Sequence, residues 1–595
     1  MLSVGVKPEQ DLHPNEVPAA PGKLTKTLGE RGERGERGVV LIWFALMLIM
    51  LMGFAGFAVD LSNWWFQAEK IQRSADAGAH AGAAFLPGDV GSATTTARSL
   101  SGENGFRNGS NATVTVSQEP NPNRLRVKVK ATIPTYFVGL LGVKSVDLTR
   151  EAVAEYVAPV PMGSPENKLG NDPARAQNTP QFWINIAGPN STKRSGDRYQ
   201  AKVCTTSVAN CSGTVNAGIN NDEYATEGYF FAIKVASVVL GQPLNIQVYD
   251  PAMTYVNDTC GTNMPTQAQA NTLQALPGNP YPDGAVRYAP GLTSWCSGDQ
   301  DINGSRSTKT TFIVRSPDLT PWSDLDNPVV SGCTKQMPAF DPGGSNPTIY
   351  EYLHPTDGKQ DSQAVIDPSD GANTFAELFR QNVIVCSIPA GSVQTGEYIL
   401  QVRSNATAAA PTVYSSSVVD GGHNRMSIFA GFGTAGLAAI DGSAVAINAR
   451  GRLPIYANAT AANTSFYLAR VLPYDAGRTL RVTLFDIGDA KSAGVLQILP
   501  PPEYASTFSG CVFNRDDGAT LSYTASTCTL NNVSSANGFD GRSVTVDIPI
   551  PNDYTCTSAV ATQCWIKVRA AFPSGVTDTT TWSAAILGNP IRLVE

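Results

Sequence analysis

Residues Val39 to Val59, VVLIWFALMLIMLMGFAGFAV, form an uncharged apolar run of 21 residues. At about 1.5 Å per residue a helix of this length reaches about 31 Å, which matches a hydrocarbon core of roughly 30 Å. A secretory signal peptide would have an apolar region of roughly 7 to 15 residues and then a small-residue cleavage site. This run is longer, and helical periodicity continues beyond it, so the sequence predicts an uncleaved single crossing. Lys23, Lys26, Arg31, Arg34 and Arg37 precede the run, and only Lys70 and Arg73 come closely after it. That asymmetry places the amino terminus in the cytoplasm and most of the chain on the far side of the cell membrane.

The chain has 595 residues, with 43 basic against 50 acidic side chains and no long basic run, which argues against a nucleic-acid partner. Charged residues are only 16%, while 54 Gly and 40 Pro suit many short strands joined by turns. All ten cysteines lie beyond residue 200: Cys204, Cys211, Cys260, Cys296, Cys333, Cys386, Cys511, Cys528, Cys556 and Cys564. An even number on the exported side reads as disulfides formed in an oxidising compartment. Zinc-type C-x-x-C spacing with nearby histidines is missing. Neighbour pairing, 204 with 211, 260 with 296, 333 with 386, 511 with 528 and 556 with 564, is the expected connectivity, although spacing alone leaves other pairings open.

Residues 1–37 have no apolar periodicity and read as a disordered cytoplasmic tail. From 38 to 86 the transmembrane helix continues into a stalk helix. Leu61, Trp64, Ala68, Ile71, Ala75, Gly78, Gly82 and Phe85 recur at spacings of three and four along one face. Trp64, Trp65 and Phe66 stand where an aromatic belt would mark the membrane surface. Small residues dominate the second half, and Ala75, Gly78 and Gly82 allow close helix contact. The occupant of that face is either another envelope helix or the chain's own next domain.

The same stretch contains Gly38, Phe44-Ala45, Gly53, Gly56, Ala58-Val59-Asp60, Gln72, Ala75-Asp76-Ala77, Ala81 and Ala83-Ala84. This pattern, a Gly before the span, V-D at its outer end, then Q-x-x-A-D-A and an Ala run, resembles the TadG-like amino-terminal segment of tight-adherence (Flp) pilus-assembly proteins. The resemblance covers about 50 residues. It implies a part in building or anchoring a pilus, with other envelope or pilus-assembly proteins as partners besides the lipid bilayer. Prepilin-type processing is not expected, because Trp43 stands where a Glu would be needed five residues after Gly38.

Beyond the stalk the chain reads as mainly β. Residues 87–157 form a small α+β membrane-proximal domain, with strand-like alternation at 113–116, 124–133 and 146–157. Tyr136 to Leu141 between them is a short helix or loop. Residues 158–179, rich in Pro, Gly and Asn, read as a linker. The remainder contains a duplication: Phe230–Val235 aligns with Phe466–Val471, and GQPLNIQVYD at 241–250 aligns with GRTLRVTLFD at 477–486. EYILQVR ending at Arg403 matches QCWIKVR ending at Arg569 at a different offset, so the first copy carries insertions, chiefly between 251 and 395. The expected result is two divergent tandem β-sandwich domains, 180–440 and 441–595, with one large β domain as the alternative.

Signals of chemistry are few. The four histidines, His13, His80, His354 and His423, show no metal-ligand spacing, with His354 and His423 in loop-like stretches. No G-x-S-x-G elbow, P-loop or dinucleotide fingerprint occurs, so an enzyme is not expected and no cofactor is implied. Asp299, Asp301 and Asn303 in D-x-D-x-N-G are weak candidate calcium ligands. Thr310 holds the place of an EF-hand's closing Glu, and an ordinary Asp/Asn/Gly turn is the competing reading. Asp250 and Asp486, equivalent in the two repeats, are read as turn starters. Trp183, Trp295, Trp322, Trp565 and Trp582 are either core packing or a platform for surface polysaccharide. Sequons at Asn190, Asn257, Asn405 and Asn458 mark loops open to exposure. The whole reads as a non-enzymatic, single-pass protein of the bacterial cell envelope. A tethered adhesin or glycan-binding protein is the alternative, and an anchored hydrolase a third.

Overall fold

A computed structural model describes residues 36–595 apart from 88, 173–181, 205–207, 209, 215–217, 251–307, 319, 321–322, 338–381, 434–441, 460–462, 489–491, 574, 589–590 and 595. The expected tail therefore lies outside the described residues except for its last two positions. The described structure is mainly β, preceded by one long apolar helix and one short one. The chain divides into two compact units: residues 1–69 with 132–148, and residues 70–131 with 149–595.

Helix α1, Glu36–Ala83, is unbroken through the apolar run and the small-residue stretch. It tightens at its end, where Phe85 N–H donates to Gly82 O and Leu86 N–H to Ala83 O, and Pro87 prevents continuation. Helix α2, Val90–Glu103, starts at Asp89, whose side chain accepts from Ser92 N–H at 2.9 Å. Its sequence, VGSATTTARSLSGE, has poor intrinsic helix propensity and gave no helical signal. Burial of Ala93, Ala97 and Ser101 at spacings of four supplies the missing stabilisation through packing.

Strands β1 (Ala112–Gln118), β2 (Arg124–Pro134) and β3 (Ser145–Tyr156) lie side by side in that order in one sheet, with β1 antiparallel to β2. Val114 opposes Val129 and Val116 opposes Val127 across β1 and β2. The segment expected to be a linker is instead built into the β region as far as it is described. It forms β4 (Pro161–Met162) and β5 (Lys168–Leu169), with Met162 and Leu169 fully buried. Its Pro and Gly content suggested a tether, but the apolar residues between them sit in the core.

Next come β6 (Phe182–Ala187), the hairpin β7 (Cys211–Thr214) and β8 (Gly218–Asn221), β9 (Tyr229–Val235) and β10 (Leu244–Tyr249). They are succeeded by β11 (Thr310–Arg315), β12 (Val329–Met337), β13 (Asn382–Ile388), β14 (Gly396–Arg403) and β15 (His423–Phe432). The second repeat begins with β16 (Val445–Arg450), β17 (Arg452–Ala459), β18 (Asn463–Arg470), β19 (Thr479–Phe485) and β20 (Gly494–Leu499). It ends with β21 (Val512–Arg515), β22 (Tyr523–Thr524), β23 (Thr529–Val533), β24 (Ser543–Pro549), β25 (Trp565–Ala571) and β26 (Val576–Ile586).

Apart from the β7–β8 hairpin, which is a two-stranded sheet of its own, these strands make two large sheets, and each runs through both repeats. One has the order β13-β10-β15-β6-β17-β26-β19-β24-β21. The other has the order β12-β11-β14-β9-β16-β4-β18-β25-β20-β23-β22. Read from the middle outwards, the matched segments hold matched places: β9 with β18, β10 with β19, β14 with β25. The opening strands are exchanged. β16 of the second repeat pairs with β9 of the first, Val445 opposite Val235, while β4, from the segment that precedes the first repeat, reaches β18 of the second, Met162 opposite Ala469. The two sandwiches are thus the two ends of one double-sheet body, in which one large cluster of buried apolar residues runs from Val160 to Ile586 and Trp183, Tyr249, Phe429 and Tyr456 form a second.

The last strand, β27 (Ile591–Leu593), pairs with β3, Ile591 opposite Tyr156, and so returns the chain to the sheet of β1, β2 and β3. Disulfides join Cys204–Cys211, Cys333–Cys386, Cys511–Cys528 and Cys556–Cys564. All four are neighbour pairs, while Cys260 and Cys296 lie outside the described residues. Cys333–Cys386 staples β12 of one sheet to β13 of the other across a separation of 53 residues. Loop-closure entropy alone makes such a bridge worth about 4 kcal/mol.

Candidate functional site

From Val40 to Val59 every side chain of α1 is exposed, and only Gly56 is covered. A soluble protein does not present such a surface to water; the helix fits a single-pass membrane anchor.

Asp60, the first charged residue after the run, is fully buried. Its carboxylate accepts three backbone N–H groups, from Tyr136 at 2.7 Å, Phe137 at 2.8 Å and Val138 at 2.6 Å. These donors open the short 3-10 turn Val138–Leu141 at the tip of the β2–β3 hairpin. A turn's first N–H groups have no partner of their own, so Asp60 caps it from 76 or more residues away in sequence. One helical turn back, Gly56 lies under the Phe137 ring. A Cβ there would meet ring carbons at 2.7 and 2.8 Å, so only glycine fits without displacing the ring.

Further along α1, the small face is filled by the chain's own α2. A Cβ at Gly78 would lie 2.7 Å from Ser101 Oγ and 3.0 Å from Ala97 O; one at Gly82 would lie 2.7 Å from Ala93 O. Ala75 and Ala79 are fully buried on the same face. Ser74 and Ser101 exchange hydrogen bonds, each hydroxyl donating to the other's carbonyl oxygen at 3.2 and 3.3 Å. Of the two occupants the sequence allows for Ala75, Gly78 and Gly82, the structure contains the intramolecular one. Gln72 Nε2 donates to Asp76 Oδ1 at 2.8 Å and to Glu151 O in β3 at 3.1 Å. The spaced Gly, Asp, Gln and Ala residues are therefore joints by which the helix holds a hairpin tip, a second helix and a strand.

Residues 38–84 match the model of the Tad family, TadE/G-like Flp pilus-assembly proteins. The match begins just inside α1 and ends at the turn that closes it, and it contains every joint residue of α1 just described. It leaves the β region uncovered. No curated protein and no solved structure matches the chain.

The Tad segment leads through β3 to a buried charge cluster. Glu155 is fully buried and bonded to Arg478, with Arg592 Nη2 at 3.2 Å, Arg124 Nε at 3.5 Å and Asn121 Nδ2 at 3.0 Å. Burial pushes its carboxyl up, but Arg478, with Arg124 and Arg592, outweighs this and holds it below the ordinary range. Beside it, burial raises Asp475 to about 6 against the pull of Arg478. A cavity of about 690 Å³ is lined by Asp475 and Arg478 together with Tyr156, Arg450, Asp324 and Glu397. Arg450 there contacts Asp324 at 3.0 Å and Glu397 at 2.7 Å, so its charge is paired. Through Glu155 the sheet of β1 to β3, the second repeat and the last strand share one set of ion pairs.

Asp299, Asp301 and Asn303 lie outside the described residues. Among the described residues, no group of three His, Cys, Asp or Glu side chains is placed to hold a metal. His423 is not in a loop as its sequence suggested; it opens β15, fully buried, and its Nδ1 accepts from Asn185 Nδ2 at 2.8 Å. Burial, aided by Arg425, lowers it to about 3, which keeps it neutral. Asp486 is a turn residue, buried and accepting Gly541 N–H at 2.7 Å; Asp250 is likewise buried. Trp183, Trp565 and Trp582 are at most 5% exposed, so they pack the interior and offer no platform. Trp183 stacks on Tyr249 and Trp582 meets Phe466 edge-on. Asn405 is buried too and donates to the Tyr224 hydroxyl, so that sequon is not an open loop. The sequence did not reveal the roles of Asp60 and Glu155, because their partners are remote; the isolated Asp directly after an apolar span was the available signal.

Proposed function

We propose that this chain is a non-enzymatic, single-pass component of a Tad (Flp) pilus-assembly apparatus. Its amino terminus lies in the cytoplasm and its disulfide-bonded β body lies outside the membrane. Its work is mechanical: α1 fixes the chain in the bilayer, the joints along the Tad segment tie the hairpin tip, α2 and β3 to that anchor, and the body is presented to other envelope or pilus-assembly proteins. The supporting observation is the coincidence of two independent patterns. The stretch that matches the Tad family is the stretch whose Gly56, Asp60, Gln72, Gly78 and Gly82 carry the joints of α1. The orientation rests on the basic residues before the span, and the compartment on the disulfides.

The test is surface piliation in cells that make this chain. Removing the chain should abolish or strongly reduce Tad pili seen by electron microscopy, and the full chain supplied in trans should restore them. Normal pili without the chain would overturn the assembly role.

A further inference from the structure

We propose that the tip of the β2–β3 hairpin is a second membrane contact, inserted into the outer leaflet beside α1. The tip reads Tyr136-Phe-Val-Gly-Leu-Leu-Gly-Val143, and five of its eight residues have large, apolar, exposed side chains. Tyr136 is 61% exposed, Phe137 48%, Leu140 84%, Leu141 85% and Val143 47%. A hairpin tip normally carries polar turn residues, and water does not favour a patch of this kind. Outside α1 and the tip, the exposed leucines among the described residues, Leu240 at 92%, Leu325 at 51% and Leu593 at 44%, lie far apart in sequence.

The position of the patch identifies its cover. The tip and the span belong to the same compact unit, residues 1–69 with 132–148. The backbone of residues 136–138 is bonded to Asp60, the residue at which the apolar run ends. The Phe137 ring lies on Gly56, four residues or about 6 Å inside that run. Asp60 thus sets the tip at the level where the helix enters the hydrocarbon, and Phe137 points further in. At that depth the surrounding medium is acyl chain, and exposed Leu140 and Leu141 are matched to it. Lys144, exposed at the base of the tip, stands at the headgroup level. A helix alone can turn and tilt freely in a bilayer; a wedge fixed to it restricts both.

This inference rests on α1 crossing the membrane and is independent of the pilus role. The test uses purified full-length protein in phosphatidylcholine–phosphatidylglycerol vesicles, with photoreactive p-benzoylphenylalanine at one position at a time: Phe54 in the span, Leu140 at the tip, or Leu240 on the β body. Mass spectrometry then reads lipid adducts after irradiation. Adducts at Phe54 and Leu140, and none at Leu240, are expected. Adducts at Phe54 alone, or a protein adduct at Leu140, would overturn the tip contact while leaving the anchor standing. No adduct at Phe54 would overturn the anchor itself, and the tip contact with it.

Discussion

Asp60→Ala removes the acceptor for three N–H groups and leaves the 3-10 turn without its cap. The amides of Tyr136, Phe137 and Val138 should then exchange hydrogen roughly tenfold faster or more, in full-length protein held in nanodiscs. Unchanged protection at these three amides would contradict the capping role. A second residue-scale prediction concerns Glu223, which pairs with Lys193 Nζ at 2.7 Å and with Arg198 Nη2 at 2.6 Å. Lys193 is 1% exposed, so its charge depends on this partner. Burial pushes Glu223 up, but Arg198 and Lys193 prevail and bring it to about 2 from an ordinary 4.5. Its contribution is therefore complete above pH 4.5 and disappears as the pH falls towards 2, and amounts to about 3 kcal/mol. Glu223→Gln should lower the thermal midpoint at pH 7, and the gap to the parent should close between pH 4.5 and 2. A gap that stays constant with pH would mean that the carboxylate's charge is not what stabilises the site.

At the scale of elements, the close fit of α1 on α2 is the feature most open to mutation. At Gly82 the nearest neighbours of an added Cβ include a backbone oxygen, Ala93 O, which cannot rotate away. Gly82→Leu should destabilise the full-length protein by roughly 1–3 kcal/mol through overpacking, read as a lowered thermal midpoint. Gly53→Leu, where nothing lies within 4 Å, should leave the midpoint unchanged. Equal effects at the two positions would contradict the packing. The sequence announced α1 because a 21-residue apolar run and a small-residue stripe are local signals. It did not announce α2, whose two Gly and three Thr residues argue against a helix; only the Ala93, Ala97 and Ser101 stripe lying on α1 makes one. For the same reason the hairpin strands β1 and β2 were legible from alternation, whereas the cap that Asp60 places on the turn beyond β2 was not.

For the whole molecule, the duplicated segments foretold the matched strands β9 and β18, β10 and β19. The exchange of β4 and β16 was hidden, because it depends on pairings between chain segments some 200 to 300 residues apart. Its consequence is that neither repeat is complete alone. Residues 441–595 expressed by themselves lack β9, the partner of β16, and β4, the partner of β18. They should give broad, poorly dispersed amide spectra or self-associate through the open edge. A well-folded monomer would contradict the exchange. The proposed role depends above all on which side of the membrane this interlocked body lies. The direct measurement is protease digestion of right-side-out and inside-out membrane vesicles containing the full chain with an amino-terminal epitope. Right-side-out vesicles should lose the β body and keep a short epitope-bearing fragment, with the reverse in inside-out vesicles. A body protected in right-side-out vesicles, with the epitope digested, would contradict an exported body and the role proposed for it.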